Sequence, residues 1–175
     1  MRPEQLRELQ APLKDRYRER PEAARVTLRA SARLGLESLT CKVETGKAAV
    51  EVGLHPATGG AGIAACSGDM LLEALVACAG VTLSAVATAL DVPISGGTVS
   101  AEGDLDFRGT LGVAKDVPVG FRDIRIHFDL QTDAPAEQLS KVLALTERYC
   151  VVFQTLCRPP GVAVTHSTAT PGAAR

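Results

Sequence analysis

Two cysteines in apolar helical segments are the residues of this chain best suited to chemistry. Cys78 lies in the middle of the long stretch DMLLEALVACAGVTLSAVATAL, and Cys150 ends a later helical segment, TERYC. A thiolate can attack the O–O bond of a peroxide, and a second thiol can resolve the sulfenic acid as a disulfide. Burial opposes formation of the thiolate at Cys78 unless a cation or a helix dipole compensates for it.

The alternative interpretation is that both cysteines are small core residues, because free cysteine is among the most buried residue types. Burial pattern alone favours this alternative. Cys41 falls on the apolar face of a predicted strand, and we interpret it as part of the core. Cys66 lies in a loop rich in glycine and alanine, where a partly buried spectator is favoured over a second reactive thiol.

The five cysteines also bear on metals and on the cellular compartment. The sequence contains no CxxC pair and no Cys/His cluster with zinc spacing, so it predicts no metal and no cofactor. The N-terminal segment MRPEQLRELQ is polar, which is not typical of a signal peptide. We therefore expect a cytoplasmic protein in a reducing compartment, where paired cysteines are more often catalytic than structural.

The composition indicates a folded domain with no nucleic-acid or membrane partner. The 175 residues suffice for one domain with a core, and a hydrophobic fraction of 46% argues against disorder. The net charge of −1 and the aromatic fraction of 3% give no basis for binding nucleic acid or an anionic membrane. The charge pattern predicts a surface helix within residues 1–24, followed by one domain over residues 25–175.

The periodicity of the domain predicts strands, a helix, strands and a second helix. The strands are expected at about 26–32, 39–43, 50–54, 98–107 and 121–131, with a further short one at 162–164. Turns at Leu34-Gly35 and Thr45-Gly46 would join the first three, and the second helix would run from Asp133–Pro135 to Cys150. This order is typical of the α+β class, with antiparallel sheets packed on helices.

The long helix around Cys78 is apolar on nearly all sides. Ser67 is expected to begin it, with Asp69 in its first turn, and it should end near Leu90, before Pro93. Its length approaches that of a membrane span, but the early carboxylates and the many small residues favour a buried core helix. A chain of this size has little material to surround such a helix, so we predict a homodimer with a shared core.

The stretch SGDMLLEALVACAGVTL, the later DLDF, and ERYC followed by VV resemble the OsmC/Ohr family of thiol peroxidases. In that family a glycine-rich loop leads into a central helix with the reactive cysteine, and a second helix ends at the resolving cysteine. Gly59-Gly60, Cys78 and Cys150 occupy those places here, over roughly residues 25–165. The sequence departs from the family where Asp69 replaces a frequent Glu and Val151 replaces the usual Pro.

The resemblance implies an OsmC-like α+β fold with a long buried central helix in an intertwined homodimer. It also implies a thiol-dependent peroxidase that reduces organic hydroperoxides, with Cys78 as the attacking residue and Cys150 as the resolving residue. A dithiol or a thiol protein would reduce the disulfide. Apolar walls favour an organic substrate over hydrogen peroxide, because a bulky alkyl group gains free energy from burial.

The resemblance further implies an arginine from an early strand that stabilises the thiolate. Arg33 is the first candidate and Arg29 the second, with Asp69 as the carboxylate that holds the guanidinium. Each has a simpler interpretation, as a surface arginine or as a helix-capping carboxylate. The alternative function is a non-catalytic small-molecule-binding protein or a structural dimer on the same fold, in which the cysteines are merely packed.

Overall fold

Two sheets and five α-helices make up the described part of the chain. The structure is a computed structural model, and it describes residues 2–20, 31–35, 40–44, 49–112 and 114–168. The helices are α1 (Pro3–Glu19), α2 (Ser67–Ala89), α3 (Phe107–Thr110), α4 (Ala136–Tyr149) and α5 (Val151–Cys157). The strands are β1 (Ser31–Gly35), β2 (Thr40–Glu44), β3 (Ala49–Gly53), β4 (Ala65–Cys66), β5 (Gly96–Asp104) and β6 (Asp123–Gln131). This is the α+β class that the sequence predicts.

The first sheet leads directly into the central helix. Its strand order is β1-β2-β3-β4, and the pairs β1/β2 and β2/β3 are antiparallel. β4 pairs in parallel with β3, with Gly53 opposite Cys66. Two residues carry no detectable alternation, so β4 could not be predicted from the sequence. The parallel pair places Cys66 at the last position of the sheet, immediately before α2.

Backbone conformation and steric contacts explain the two glycines before β4. His55 begins a short 3-10 turn over Pro56–Thr58, and Gly59 ends that turn with a φ of 93°. A Cβ atom on Gly60 would lie 1.7 Å from the carbonyl oxygen of Leu54, so only glycine fits there. The loop therefore returns the chain tightly towards β4 and fixes the position of His55.

The long helix α2 is the element on which most of the described chain packs. It contacts α1, α4, α5, β4 and β5. One copy of the chain buries a single stripe of α2, formed by Leu75, Ala79, Leu83 and Ala87. Of the helices in the described ranges, only α2 is long and apolar enough to span a membrane by length and composition. Its packing against helices on one side and a sheet on another is that of the core helix of a folded domain.

The second sheet covers α2 from another direction. β5 and β6 form an antiparallel pair, and Phe128 and Leu130 of β6 pack on the core that Leu83 and Val142 share. His127 lies on the opposite, exposed face, as the alternation of β6 predicts. The sheet therefore contributes apolar side chains to the core and no thiol.

Cys150 joins the last two helices. α4 buries Val142 and Thr146 and ends at Tyr149, where Cys150 is the C-cap. The same residue is the N-cap of α5. The sequence predicts a helix that ends at Cys150, which is confirmed to within one residue. The sequence did not predict α5, which follows at once.

Three boundaries differ from the expected ones, whereas α2 begins at Ser67 as predicted, with Cys66 as an N-cap that makes no side-chain hydrogen bond. Leu34 and Gly35 pair with β2 as strand residues instead of forming a turn. Phe107 begins α3 instead of ending β5, because the Asp106 carboxylate caps that helix by accepting from the Arg108 N–H.

The third difference is the last predicted strand. Residues 162–164 belong to no strand in the described part of the chain, and Val162 and Val164 are exposed. The segment 21–30 and the turn at Thr45-Gly46 lie outside the described residues.

Candidate active site

Four hydrogen-bond donors converge on the sulfur of Cys78. Cys78 is half-buried at the centre of α2, where the first turn of α5 packs against the helix. The backbone N–H groups of Val152 and Val151 lie near its sulfur and lower its pKa, and the hydroxyl of Thr82, one turn further along α2, acts in the same direction. The fourth donor is the thiol of Cys150. The structure thus brings together the two cysteines that the sequence singles out.

These contacts lower the pKa of Cys78. Burial is the largest single effect and raises the pKa, but the hydrogen bonds together outweigh it. Each donor stabilises the charged sulfur more than the neutral thiol. Because the thiolate is the nucleophilic form, Cys78 is more nucleophilic near neutral pH than an ordinary cysteine in the same burial would be.

Cys150 has the opposite character. Its side chain is 1% exposed, and its Sγ accepts a hydrogen bond from the Phe153 N–H at 3.5 Å. Burial and the neighbouring Cys78 sulfur raise the pKa of Cys150. The pKa values of the two neighbouring thiols are therefore shifted in opposite directions. This asymmetry fits one attacking thiol and one resolving thiol.

Three of the groups that lower the pKa of Cys78 were not predicted from the sequence. Thr82 lies four residues after Cys78, a spacing that places two side chains on one face of a helix, so a signal was present. The amides of Val151 and Val152 had no such signal, because backbone donors depend on where α5 begins and packs.

Asp69 is distant from Cys78 within one chain. Nine positions separate the two residues (78 − 69), which is about 13 Å along the helix and half a turn around it. The carboxylate instead lines a small cavity at the N-terminal end of α2. Within a single chain its position is that of an acidic residue in the first turn, which favours the helix dipole.

The side chains of both predicted arginines lie outside the described part of the chain. Arg33 lies in β1 opposite Lys42, but its side chain is outside the described part, as is all of Arg29. The groups that lower the pKa of Cys78 are neutral: two amides, a thiol and a hydroxyl. The role of Arg33 or Arg29 therefore stays a prediction. Cys41 lies in β2, as expected, and its side chain is also outside the described part.

The cavity beside Asp69 contains a further thiol. It has a volume of about 170 Å³ and is lined by His55, Cys66, Gly68, Asp69, Leu72, Gly103, Leu105, Phe107 and Phe121. The His55 ring stacks on the Phe107 ring with 4.8 Å between their centroids. Cys66 is half-buried and not in a disulfide.

A larger cleft of about 810 Å³ lies between the C-terminal half of α2, the start of β5 and Pro3. Its only titratable lining residue is Asp91, and none of its lining residues is a cysteine. The cleft therefore offers no nucleophile for thiol chemistry, and the candidate active site is the contact between α2 and α5.

Comparison with known proteins defines the class of this chain. The family model described as OsmC-like protein matches residues 58–165, which is more than half of the chain. The chain therefore belongs to the OsmC-like family, and the resemblance drawn from its two cysteine segments is confirmed. No curated protein matches the chain.

Solved structures agree on the fold. The chain is similar to an OsmC-like protein from Mycoplasma pneumoniae, with 17% identity and a TM-score of 0.64 over 77% of this chain and 89% of that one. It is also similar to an organic hydroperoxide resistance protein from Elizabethkingia anophelis, with 16% identity and a TM-score of 0.61 over 78% and 91%. A third, an organic hydroperoxide resistance protein OsmC from Legionella pneumophila, has 17% identity and a TM-score of 0.60 over 78% and 92%. At these identities the likeness shows the OsmC-like fold.

Proposed function

We propose that this chain is a thiol-dependent peroxidase that reduces organic hydroperoxides. The observation that supports it most is the convergence of neutral donors on Cys78, with the Cys150 thiol among them. An attacking cysteine needs a lowered pKa, and a resolving cysteine must lie next to it. Two similar structures are named as organic hydroperoxide resistance proteins, which is consistent with this activity.

The proposed reaction has three steps. The Cys78 thiolate attacks the distal oxygen of the hydroperoxide, the O–O bond breaks, and the alkoxide takes a proton from water and leaves as an alcohol. Cys78 is then a sulfenic acid. The Cys150 sulfur attacks the sulfenic sulfur, a disulfide forms, and the hydroxyl leaves with the thiol proton as water. A dithiol or a thiol protein returns both cysteines to thiols and is itself oxidised to a disulfide.

The surface beside Cys78 supports an organic substrate and a second copy of the chain. The outward face of α2 carries exposed apolar residues three or four positions apart: Leu71, Ala74, Ala77 and Val81. This stripe lies opposite the buried one, so a single copy leaves half of a very apolar helix without cover. We propose a homodimer that covers the stripe and encloses the Cys78 site in apolar walls, where an alkyl group gains free energy from burial.

The same dimer gives Asp69 a route to the site. Within one chain the carboxylate and the Cys78 sulfur lie at different levels and on different faces of α2. If two copies of α2 pack antiparallel, the N-terminal end of one helix approaches the centre of the other. We propose that Asp69 acts on the Cys78 of the second copy, where it would hold the guanidinium of Arg33, or else of Arg29. We also propose a cytoplasmic location, where thiol reductants are available.

The direct test measures consumption of cumene hydroperoxide with dithiothreitol as the reductant. We expect the wild-type chain to turn over, Cys78→Ser to fall to the uncatalysed rate, and Cys41→Ser to retain the wild-type rate. Equal losses in Cys78→Ser and Cys41→Ser would contradict the assignment of Cys78. No turnover in the wild type, with a folded chain, would favour the packed-cysteine alternative.

The cation is tested by the pH dependence of Cys78 alkylation with iodoacetamide in Arg33→Met and Arg29→Met. Loss of the stabilising cation should move the titration of Cys78 to higher pH, because the thiolate loses a favourable charge. A titration unchanged in both variants would retain the peroxidase and reject both arginines.

A further inference from the structure

The cavity at the N-terminal end of α2 has the size and walls of a binding site for a small apolar molecule. Its volume is about 170 Å³, and Leu72, Leu105, Phe107 and Phe121 supply apolar walls. An apolar protein cavity of about 150 Å³ is large enough to bind benzene. The space therefore fits a single ring or a short alkyl chain.

The Cys66 sulfur and two of these apolar side chains surround one and the same position in the cavity. A Cβ atom placed on Gly68 would lie 3.7 Å from the Cys66 Sγ, 3.5 Å from the Phe121 ring and 3.7 Å from a Leu105 methyl group. Three side chains from three parts of the chain thus surround this position, which is empty because residue 68 is a glycine. A ligand atom at this position would touch the thiol at ordinary van der Waals distance.

The cavity also contains a fixed hydrogen-bond donor. The His55 Nδ1 accepts a hydrogen bond from the Ala57 N–H at 3.0 Å, so the proton of the neutral ring lies on Nε2. Stacking on Phe107 holds the ring in place. Asp69, which also lines the cavity, carries a negative charge that disfavours anionic ligands. The combination suits a neutral molecule with an apolar body and one acceptor atom.

We propose that this cavity binds small neutral carbonyl compounds and that Cys66 forms a thioether with those that are α,β-unsaturated ketones. In this addition the Cys66 sulfur bonds to the β-carbon, and the π pair of the C=C bond moves to the α-carbon. The α-carbon takes up a proton in place of the one that the thiol releases. Nothing is oxidised or reduced, and no group leaves. The His55 Nε2–H donates to the carbonyl oxygen.

The reacting thiol of this site is separate from that of the proposed peroxidase, although Asp69 lines the cavity and is also assigned to the Cys78 site of the second copy. Cys66 lies 12 positions before Cys78 (78 − 66), about 18 Å along the chain axis of α2, so the two thiols do not share one ligand. The two proposals can fail separately, because peptide mass spectrometry reports each cysteine by itself.

The experiment compares two Michael acceptors of similar size, ethyl vinyl ketone and the more polar acrylamide. Rates of modification are measured at Cys66 and at Cys157, which is exposed and serves as the internal control. We expect the ketone-to-acrylamide rate ratio to be about tenfold higher at Cys66 than at Cys157, because the cavity buries the alkyl group of the ketone. Equal ratios at the two cysteines would overturn the proposal.

Two glycine variants locate the effect in the cavity. Gly68→Ala places a methyl group in the open position at contact distance, whereas the Cβ of Gly80→Ala meets only a Val99 methyl group at 3.8 Å. Both substitutions lie in α2 and suit a helix. Gly68→Ala should bring the rate ratio at Cys66 close to that of Cys157, and Gly80→Ala should leave it unchanged. Leu72→Phe is a second filling variant and should act as Gly68→Ala does.

Two outcomes of the variant series contradict the proposal. One is an unchanged rate ratio in both Gly68→Ala and Leu72→Phe, with folding confirmed by circular dichroism. The other is an equal slowing of both reagents, which would mean that the methyl group merely shields the thiol.

Discussion

Cys66 is the N-cap of α2 and Cys78 lies at the centre of that helix, each follows an alanine, and both are half-buried, yet their surroundings differ completely. Cys78 receives hydrogen bonds from the first turn of α5, from Thr82 and from Cys150. Cys66 faces two phenylalanine rings and a leucine across a cavity. Local sequence is therefore a poor guide to the chemistry of a thiol. What decides it is which groups other elements bring to the sulfur.

The largest contrast between the two thiols should appear when the resolving cysteine is removed. Cys150→Ser should allow one fast reaction with cumene hydroperoxide and then stop, because the Cys78 sulfenic acid has no partner. Dimedone labelling and intact mass should detect that sulfenic acid. Cys66→Ser should keep full turnover with dithiothreitol. If Cys66→Ser also stopped after one reaction, the resolving cysteine would be Cys66, at the N-terminal end of α2.

The next largest difference should come from a charge on the outward apolar stripe of α2, which should affect the reaction at Cys78 and leave that at Cys66 unchanged. Val81 is 73% exposed in one copy, so Val81→Glu should leave the single chain folded but place a carboxylate in the proposed dimer contact. We expect a monomer by light scattering, most peroxidase activity lost, and the Cys66 rate ratio unchanged. Ile63→Glu is the control, because Ile63 is 93% exposed and lies outside α2. A Val81→Glu variant that remains a fully active dimer would place the contact elsewhere.

Removing one donor should have a moderate effect on Cys78 alone. A hydrogen bond to a charged group contributes about 1.5 kcal/mol, and the Thr82 hydroxyl helps to lower the pKa of Cys78, so Thr82→Val should raise that pKa. The rate of iodoacetamide alkylation follows the thiolate fraction, so at pH values below the titration it should fall by about tenfold. Thr88→Val is the matched control, because the Thr88 hydroxyl donates to the Ser84 carbonyl oxygen and not to a thiol. Identical titrations in the two variants would argue against the Thr82 hydrogen bond.

The smallest expected effect is that of Asp69. Asp69→Asn retains some hydrogen bonding and should slow the peroxidase by about twofold to fivefold, the range of an exposed charge effect near a helix end. Mixed dimers of Asp69→Asn and Cys78→Ser chains test whether the carboxylate acts between copies. In such a dimer the intact Cys78 lies opposite an intact Asp69, so its rate should return to the wild-type value. A rate that stays reduced would assign Asp69 to its own chain.

The fold could be predicted where periodicity was strong. The long helix over Ser67–Ala89 and the alternation of β6 were visible, because apolar spacing directly reflects the buried face. β4 and α5 were not, because two residues show no period and seven residues resemble a continuation of α4. The proposed strand at 162–164 failed because the apolar alternation of Val162 and Val164 has no neighbouring strand in the described chain.

The site could be predicted only in its side chains. The pairing of Cys78 with Cys150 followed from the family resemblance, and the structure places the two thiols in contact. The amides of Val151 and Val152 carry no side-chain signature, since any sequence supplies them. The cavity at Cys66 depends on Gly68, a residue whose role no sequence pattern predicted. Packing, rather than residue type, made these features.

Because Cys150 lies between α4 and α5, the stability of the first turn of α5 should depend on whether Cys150 is a thiol or part of a disulfide. Its sulfur caps α5 through the Phe153 N–H, and the disulfide step would turn that sulfur towards Cys78. An N-terminal cap contributes about 1 kcal/mol, so the Phe153 amide should exchange with deuterium about fivefold faster once the bond has formed. The same turn carries the amides that hold the thiolate. Oxidation would thus destabilise the turn whose amides lower the pKa of Cys78, and reduction would stabilise that turn again.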